Sequence, residues 1–334
     1  MTIADLPIAV QVIIEYLNKL LGSGSRLWPG YMLAFIFIAF AVYKHEGRKE
    51  GFWRFAFPKE FYRSDSVKTD LKLFLFNAIL RIIDVFNAVG VKAFVALSII
   101  GALYSAGIIS GQTPRMDVHP LIVALILFFV ADFFAYFFHR IHHTTEPLWV
   151  FHAVHHSSEF LTPISNYRSH PLYGVLSRFL LAVLGGIIDG ILISFLVNSM
   201  DAATLVGINA LGFIFNATGS NLRHSHIWLS YGPFLSYIFI SPAMHQIHHS
   251  RNPKHYNKNF GTAFSVFDWL FGTLYTPKER EHLEFGLCDA HGNAIQPHDG
   301  LVNAIFVPFK HLGQWWRGRK SENPNELQRA NHNM

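Results

Sequence analysis

Hydrophobic positions along this chain fall in long blocks, separated by polar stretches rich in basic residues and histidine. Trp28 to Tyr43 is the first block. It is short against the roughly 20 apolar residues that cross a bilayer, but its aromatic ends suit the two membrane interfaces. Val91 to Ser110, His119 to Phe138, Leu172 to Val197 and Ala202 to Ala217 follow, making five candidate spans. Leu71 to Ala88 is also apolar, yet it carries Asn77, Arg81 and Asp84 on one stripe. That pattern predicts a helix against the bundle or at the interface rather than one exposed to lipid. Ahead of all these, Ile3, Ile8, Val12, Ile13, Tyr16 and Leu20 share one helical face, with Gln11, Glu15 and Lys19 on another. Met1 to Leu21 therefore reads as an amphipathic helix, lying on the membrane surface or packed on the domain. It lacks the basic start of a cleaved signal peptide.

Charge sets the orientation. Lys44, Arg48, Lys49, Arg54, Lys59, Arg63 and Lys68 crowd the polar stretch from Lys44 to Asp70. A basic loop of this kind is expected on the cytoplasmic side. Five crossings return the chain to that side at Asn221. Gly185, Gly186 and Gly190 permit close helix contact, and Asp189 beside them is an intramembrane acid, expected to be partnered inside the bundle. The expected fold is an all-α integral membrane protein of about five transmembrane helices, with a cytoplasmic histidine-rich helical cap. Its expected divisions are an interfacial helix (1–27), N-terminal membrane helices with the basic loop (28–118), a histidine-bearing unit (119–277) and a cytoplasmic tail (278–334). In that tail Trp315, Trp316, Arg317, Arg319 and Lys320 suggest an interfacial anchor followed by a disordered end.

Composition narrows the function. Hydrophobic residues make up 51% of the 334, and charged residues only 15%, against about 25% in ordinary soluble domains. The net charge of +5 then points to anionic lipid headgroups rather than to nucleic acid. The single cysteine, Cys288, excludes a disulfide framework and a cysteine-based zinc site. Haem-attachment, iron–sulfur and dinucleotide-binding motifs are missing as well. Any electrons the chain needs are expected from a separate carrier, and the basic stretches Lys44 to Lys68 and Lys278 to Arg280 suit either an acidic carrier or lipid headgroups.

Histidine is the anomaly, at 20 residues in clusters. Asp132, Tyr136, His139 and His143 lie at offsets that put them on one helical face. His139-Arg-Ile-His142-His143, His152-Ala-Val-His155-His156 and His245-Gln-Ile-His248-His249 repeat one spacing three times. Neutral imidazole binds first-row transition metals such as iron, zinc, copper or nickel, and suits magnesium or calcium poorly. Eight or nine such ligands exceed one ion and fit two. A structural zinc site needs four, usually with cysteine. The carboxylate-bridged di-iron pattern of helical bundles is missing, so a di-metal centre here is built from histidine.

These residues carry a resemblance. The run from Asp132 to His143, LWVFHAVHHSSE (Leu148 to Glu159), YRSHPL (Tyr167 to Leu172), RHSHIW (Arg223 to Trp228), SPAMHQIHHSRNP (Ser241 to Pro253) and NFGTAFSVFDWLFGTLY (Asn259 to Tyr275) resemble the fatty acid hydroxylase/sterol desaturase superfamily of membrane oxygenases. The resemblance spans roughly Val123 to Pro277. It implies metal ligands at His139 and His143, at His152, His155 and His156, at His245, His248 and His249, and at His224. His142 falls at a variable position and His226 is a weaker candidate. His170 either supports the site or binds metal. Asp132 and Tyr136 are expected to hydrogen-bond a ligand imidazole, and Asp268 to be structural. The resemblance further implies two iron ions, O2 as co-substrate, a membrane lipid as substrate, and a ferredoxin or b-type cytochrome as donor. The HHSRNP…NFGT run looks nearest to alkylglycerol monooxygenase-like and bacterial lipid hydroxylase members, so hydroxylation is expected. A lipid desaturase is the alternative within the family. A non-catalytic metal-binding or transport protein is the alternative outside it, although a transporter should hold its ligands at the bilayer midplane.

Overall fold

The computed structural model describes Gly22 and residues 25–318, except 83–87, 114, 115, 117, 197–201 and 290. The predicted amphipathic helix at Met1 to Leu21 and the end beyond Gly318 lie outside the described residues. Helices dominate the rest: α1 (Pro29–His45), α2 (Phe52–Ala56), α3 (Lys59–Arg63), α4 (Asp65–Ile82), α5 (Ala88–Ser105), α6 (Pro120–Thr144), α7 (Glu146–His156), α8 (Pro171–Leu196), α9 (Ala202–Ala217), α10 (Gly232–Leu235), α11 (Pro242–His248), α12 (Val266–Leu270) and α13 (Gly300–Trp316). One small hairpin pairs β1 (Leu287–Cys288) with β2 (Ala294–Ile295).

Among the described residues, α6 and α8 are long and apolar enough to cross a membrane, while α1 and the stretch Gly90–Ser105 are apolar but shorter. Leu121, Ile122, Leu125 and Phe129 on α6, and Phe179, Ile191 and Phe195 on α8, are exposed, as a lipid-facing surface would be. His119 caps α6, its ring accepting from the Leu121 N–H at 3.3 Å, and Pro120 opens the first turn. The helix does not stop where the apolar run ends at Phe138. It continues to Thr144 and so carries His139 and His143 out on its last turns.

α5 lies against α8 because two glycines leave room. A Cβ on Gly186 would sit 2.6 Å from the Lys92 carbonyl oxygen, and one on Gly190 2.7 Å from that of Ala96. Asp189, on the same face, pairs with Lys92 at 2.6 Å. Asp189 thus has the partner its sequence context called for. Val123 and Leu127 of α6 pack on Leu192, Ile193 and Leu196 of α8. Phe35, Ala39 and Val42 of α1 pack with Phe55, Leu222 and Ile227. Asn77, on the polar stripe of α4, donates to the Ser169 carbonyl at 2.9 Å.

The stretch from 278 to 318 is more than a tail. Leu287 of the hairpin is buried with Trp149 and Ala153 of α7. Ala304 of α13 is buried with Leu73 of α4 and Val154 of α7. Leu287 and Ala304 thus form part of the floor beneath the second histidine helix. Phe306, Trp315 and Trp316 remain exposed on the other face.

Candidate metal centre

Four elements deliver histidine to one layer. The i, i+4 spacing puts His139 and His143 one above the other on α6. His152, His155 and His156 occupy consecutive turns of α7. The 3-10 turn Ser220–His224 ends in His224. α11 opens with the Ser241 hydroxyl accepting from the Met244 N–H and with Pro242 in its first turn, and carries His245 and His248; His249 is its C-cap. Nine of these imidazoles converge as two groups. His139, His143, His152, His156 and His248 offer nitrogens all within 4.8 Å of one another, and so do His155, His224, His245 and His249. Neither group includes a carboxylate or the thiol.

Backbone carbonyls orient the rings. Nδ1 of His139 lies 2.9 Å from the Phe260 oxygen, Nδ1 of His155 3.1 Å from that of Arg168, and Nδ1 of His248 2.8 Å from that of Lys258. A carbonyl only accepts, so each Nδ1 carries the proton and each Nε2 keeps its lone pair. Nδ1 of His224 meets the Ser165 hydroxyl at 2.9 Å. Nε2 of His248 is buried with no hydrogen-bond partner, as are both nitrogens of His143. Nε2 atoms also approach one another at 3.2 Å, between His152 and His156, His224 and His245, and His245 and His249. Buried acceptors without donors are costly in a protein interior, and a cation placed between the rings would satisfy them. The donor set therefore fits two transition-metal ions.

Burial reinforces this state. It holds His155 and His248 down to about 4, and it lowers His152, His156, His224, His245 and His249 well below the ordinary histidine value, with neighbouring imidazoles adding to the effect. The rings are neutral at pH 7, the form that binds metal.

Asp132 and Tyr136 do not bond a histidine, contrary to the sequence reading. The Asp132 carboxylate accepts the N–H groups of Ala263 and Phe264, both at 2.8 Å. The Tyr136 hydroxyl meets Thr273 and Arg140. Asp268 accepts the N–H groups of Phe260 and Gly261 at 2.8 Å. All three acidic or phenolic groups grip the loop from Asn259 to Thr273, whose Phe260 carbonyl orients His139. Their effect on the site is indirect. Gly261 is obligatory in this loop, since a Cβ there would meet the Phe264 oxygen at 2.3 Å. Asn259 takes a left-handed conformation, φ 58°, that asparagine tolerates, and its amide donates to Met244 and Tyr275 carbonyls.

The remaining histidines bond elsewhere. His142 Nδ1 turns back on the Phe138 carbonyl at 2.6 Å, His226 Nε2 meets that of Phe55, and His255 pairs with Glu281. His170 uses both nitrogens away from the layer, Nε2 on the Ile305 carbonyl and Nδ1 on the Leu172 N–H. It supports the junction of α8 with α13 and joins neither group.

The sequence reading missed Arg168. Its guanidinium is fully buried, pairs with Asp70 at 2.8 Å, and donates to Val154, Ser157, Ser66 and His298. Its carbonyl holds His155. Its place inside the YRSHPL match was the available signal, but nothing local distinguishes a buried arginine from an exposed one.

The fatty acid hydroxylase family matches residues 124–273. Alkylglycerol monooxygenase of Homo sapiens is 29% identical over 189 residues, 57% of this chain and 36% of that protein. Its Xenopus tropicalis counterpart is 26% identical over 210 residues, 58% and 43%. Ornithine lipid hydroxylase OlsE of Rhizobium tropici is 28% identical over 93 residues, 28% and 26%. The chain spans less than half the length of these curated relatives. No solved structure matches it.

Proposed function

We take as premise that the chain belongs to the fatty acid hydroxylase superfamily, and we propose that it is an O2-dependent, membrane-bound di-iron enzyme that hydroxylates an unactivated C–H bond of a lipid. His139, His143, His152, His156 and His248 would hold one iron, and His155, His224, His245 and His249 the other. The iron pair, when bound, supplies the oxidising power towards C–H bonds that no side chain possesses. The protein's own part is to position and insulate. The carbonyls of Phe260, Arg168 and Lys258 keep the proton on Nδ1 and aim Nε2 inward. The buried layer excludes water and keeps the imidazoles neutral. In the bilayer, α1, α5, α6, α8 and α9 would make five crossings, with the histidine layer on the cytoplasmic side. Electrons would arrive from a separate ferredoxin or b-type cytochrome.

One observation carries this reading. Nine nitrogen donors from four separate elements gather in two carboxylate-free groups at the end of an apolar helix. Hydroxylation is preferred to desaturation because the named relatives are a monooxygenase and a hydroxylase. The test is metal analysis of the detergent-purified chain together with lipidomics of cells with and without it. Two irons per chain and lipids heavier by one oxygen are expected. One ion or none would overturn the centre, and loss of two hydrogens would replace hydroxylase by desaturase.

A further inference from the structure

Beside the histidine layer, α6, α9 and the segment Gly232–Ile240 enclose a cavity of about 440 Å³, within the usual size range of ligand pockets. Its lining is almost wholly apolar and includes Leu125, Leu211, Phe215, Leu235, Ile240 and Phe264. Its two polar members are already satisfied: the Tyr231 hydroxyl donates to the Thr218 carbonyl at 3.0 Å, and the Thr218 hydroxyl to that of Ile214 at 2.8 Å. Nothing in it asks for a polar ligand.

Its mouth is rimmed by exposed apolar side chains. Leu125, Ile214, Leu235 and Phe239 are each two-fifths to over half exposed, and Phe234 beside them is 88% exposed. That rim continues the exposed α6 surface of Leu121, Ile122 and Phe129, and beyond it lie exposed Trp269, Leu270 and Phe271. Water would penalise so large an aromatic patch, whereas hydrocarbon would not. The inner end belongs to the metal centre's own scaffold. Ile240 precedes Ser241, the cap of the helix bearing His245 and His248. Its carbonyl accepts from Arg223, the neighbour of His224, at 3.1 Å. The N–H groups of Ala263 and Phe264 are those held by Asp132. From Leu211 to Thr218 the wall follows α9 towards His224.

We infer that this cavity seats the hydrocarbon chain of the lipid substrate, admitted sideways from the bilayer between α6, α9 and the Gly232–Ile240 segment, with Leu211 at the end away from the histidines. The inference rests on the lipid-hydroxylase reading and names the part of the substrate that the protein measures, its alkyl chain.

The test uses the full chain in phospholipid vesicles and a long-chain alkylglycerol bearing a diazirine at the chain terminus. Irradiation is expected to label residues between Leu211 and Thr218 or between Leu235 and Ile240. Leu211→Trp, which fills the end away from the histidines, is expected to cut that labelling several-fold and to move oxidised products towards shorter chains at unchanged iron content. Leu211→Ala is expected to do neither. If Leu211→Trp is not recovered folded, Leu235→Trp at the exposed rim tests the same point. Labels confined to α4, α5 or α13, an unchanged chain-length profile in the filled variant, or preferential labelling by a diazirine sterol would overturn the inference. Hydroxylation without cavity labelling removes this inference alone, and cavity labelling in a protein that oxidises no lipid removes the functional proposal.

Discussion

Asp268 and His139 do not touch, yet a single residue joins them. The Asp268 carboxylate accepts the Phe260 N–H at 2.8 Å, and the Phe260 carbonyl lies 2.9 Å from Nδ1 of His139. An acid at the start of one short helix thereby fixes the tautomer and tilt of an imidazole delivered by another element far away in sequence.

Asp268→Asn is expected to loosen this relay without emptying the fold, because asparagine can still accept one of the two N–H groups. Partners of metal ligands typically contribute 10–100-fold in metal affinity. Iron retention under chelator challenge should therefore fall by about tenfold or more, with the thermal transition largely kept. Unchanged retention would show that the loop holds its shape without the carboxylate.

Arg168 makes a different prediction, about stability. Its ion pair with Asp70 is completely buried, and removing one member of such a pair costs about 3–5 kcal/mol. Arg168→Met should lower the unfolding temperature severely, and pairing it with Asp70→Leu should restore much of the loss. Thermal unfolding of the detergent-solubilised variants measures both. A double variant no better than the single would indicate that the bonds to Val154, Ser66 and His298, not charge balance, dominate.

Ligands and bystanders are separable. His142 adjoins His143, and His226 lies two residues from His224, but both bond backbone carbonyls away from the two groups. His142→Ala and His226→Ala should keep two irons per chain, whereas His248→Ala and His224→Ala should lose metal and product. Metal analysis of the four variants decides the assignment, and iron loss in His142→Ala would redraw the first group.

Much of this was legible in the sequence because helical spacing is rigid. His139 with His143, and His152 with His156, must share a face once a helix is granted, and an apolar run ending in histidine places that face at a membrane boundary. The roles of Asp132, Tyr136 and Arg168 were not legible. Local pattern fixes Asp132 and Tyr136 on α6 and puts Arg168 just after the 3-10 turn Ser165–Tyr167, but their partners, Ala263, Thr273 and Asp70, are distant in sequence. Which distant backbone group a buried polar side chain finds is settled by tertiary packing alone. The same holds for α13, whose amphipathic pattern fits a membrane surface and a protein surface equally well.

Acid should dismantle the metal-free protein. His155 and His248 are neutral when folded, held to about 4 by burial, while the unfolded chain's histidines titrate near 6.5. Between these values the unfolded state binds more protons, so stability rises with pH there and is flat above about 6.5. The iron-free protein should keep a constant unfolding temperature from pH 8 to about 6.5 and lose it steadily towards pH 4. Scanning fluorimetry across that range checks this, and a flat profile down to pH 4 would mean that the histidine layer opens and hydrates without metal.

The contact between α5 and α8 gives the last prediction. Gly190 meets α5 so closely that an added Cβ would sit 2.7 Å from the Ala96 carbonyl oxygen, a backbone atom that no side-chain rotation can clear. Gly190→Ile must push α5 off α8, and overpacking of this kind costs about 1–3 kcal/mol. The same displacement would pull Lys92 away from Asp189 and leave that carboxylate without its partner. Gly190→Ile should therefore be clearly less stable than Gly212→Ile, made where an added Cβ meets nothing within 4 Å. Comparing the two by thermal unfolding in detergent separates helix contact from simple glycine loss, and equal losses would mean that α5 is not clamped at this face.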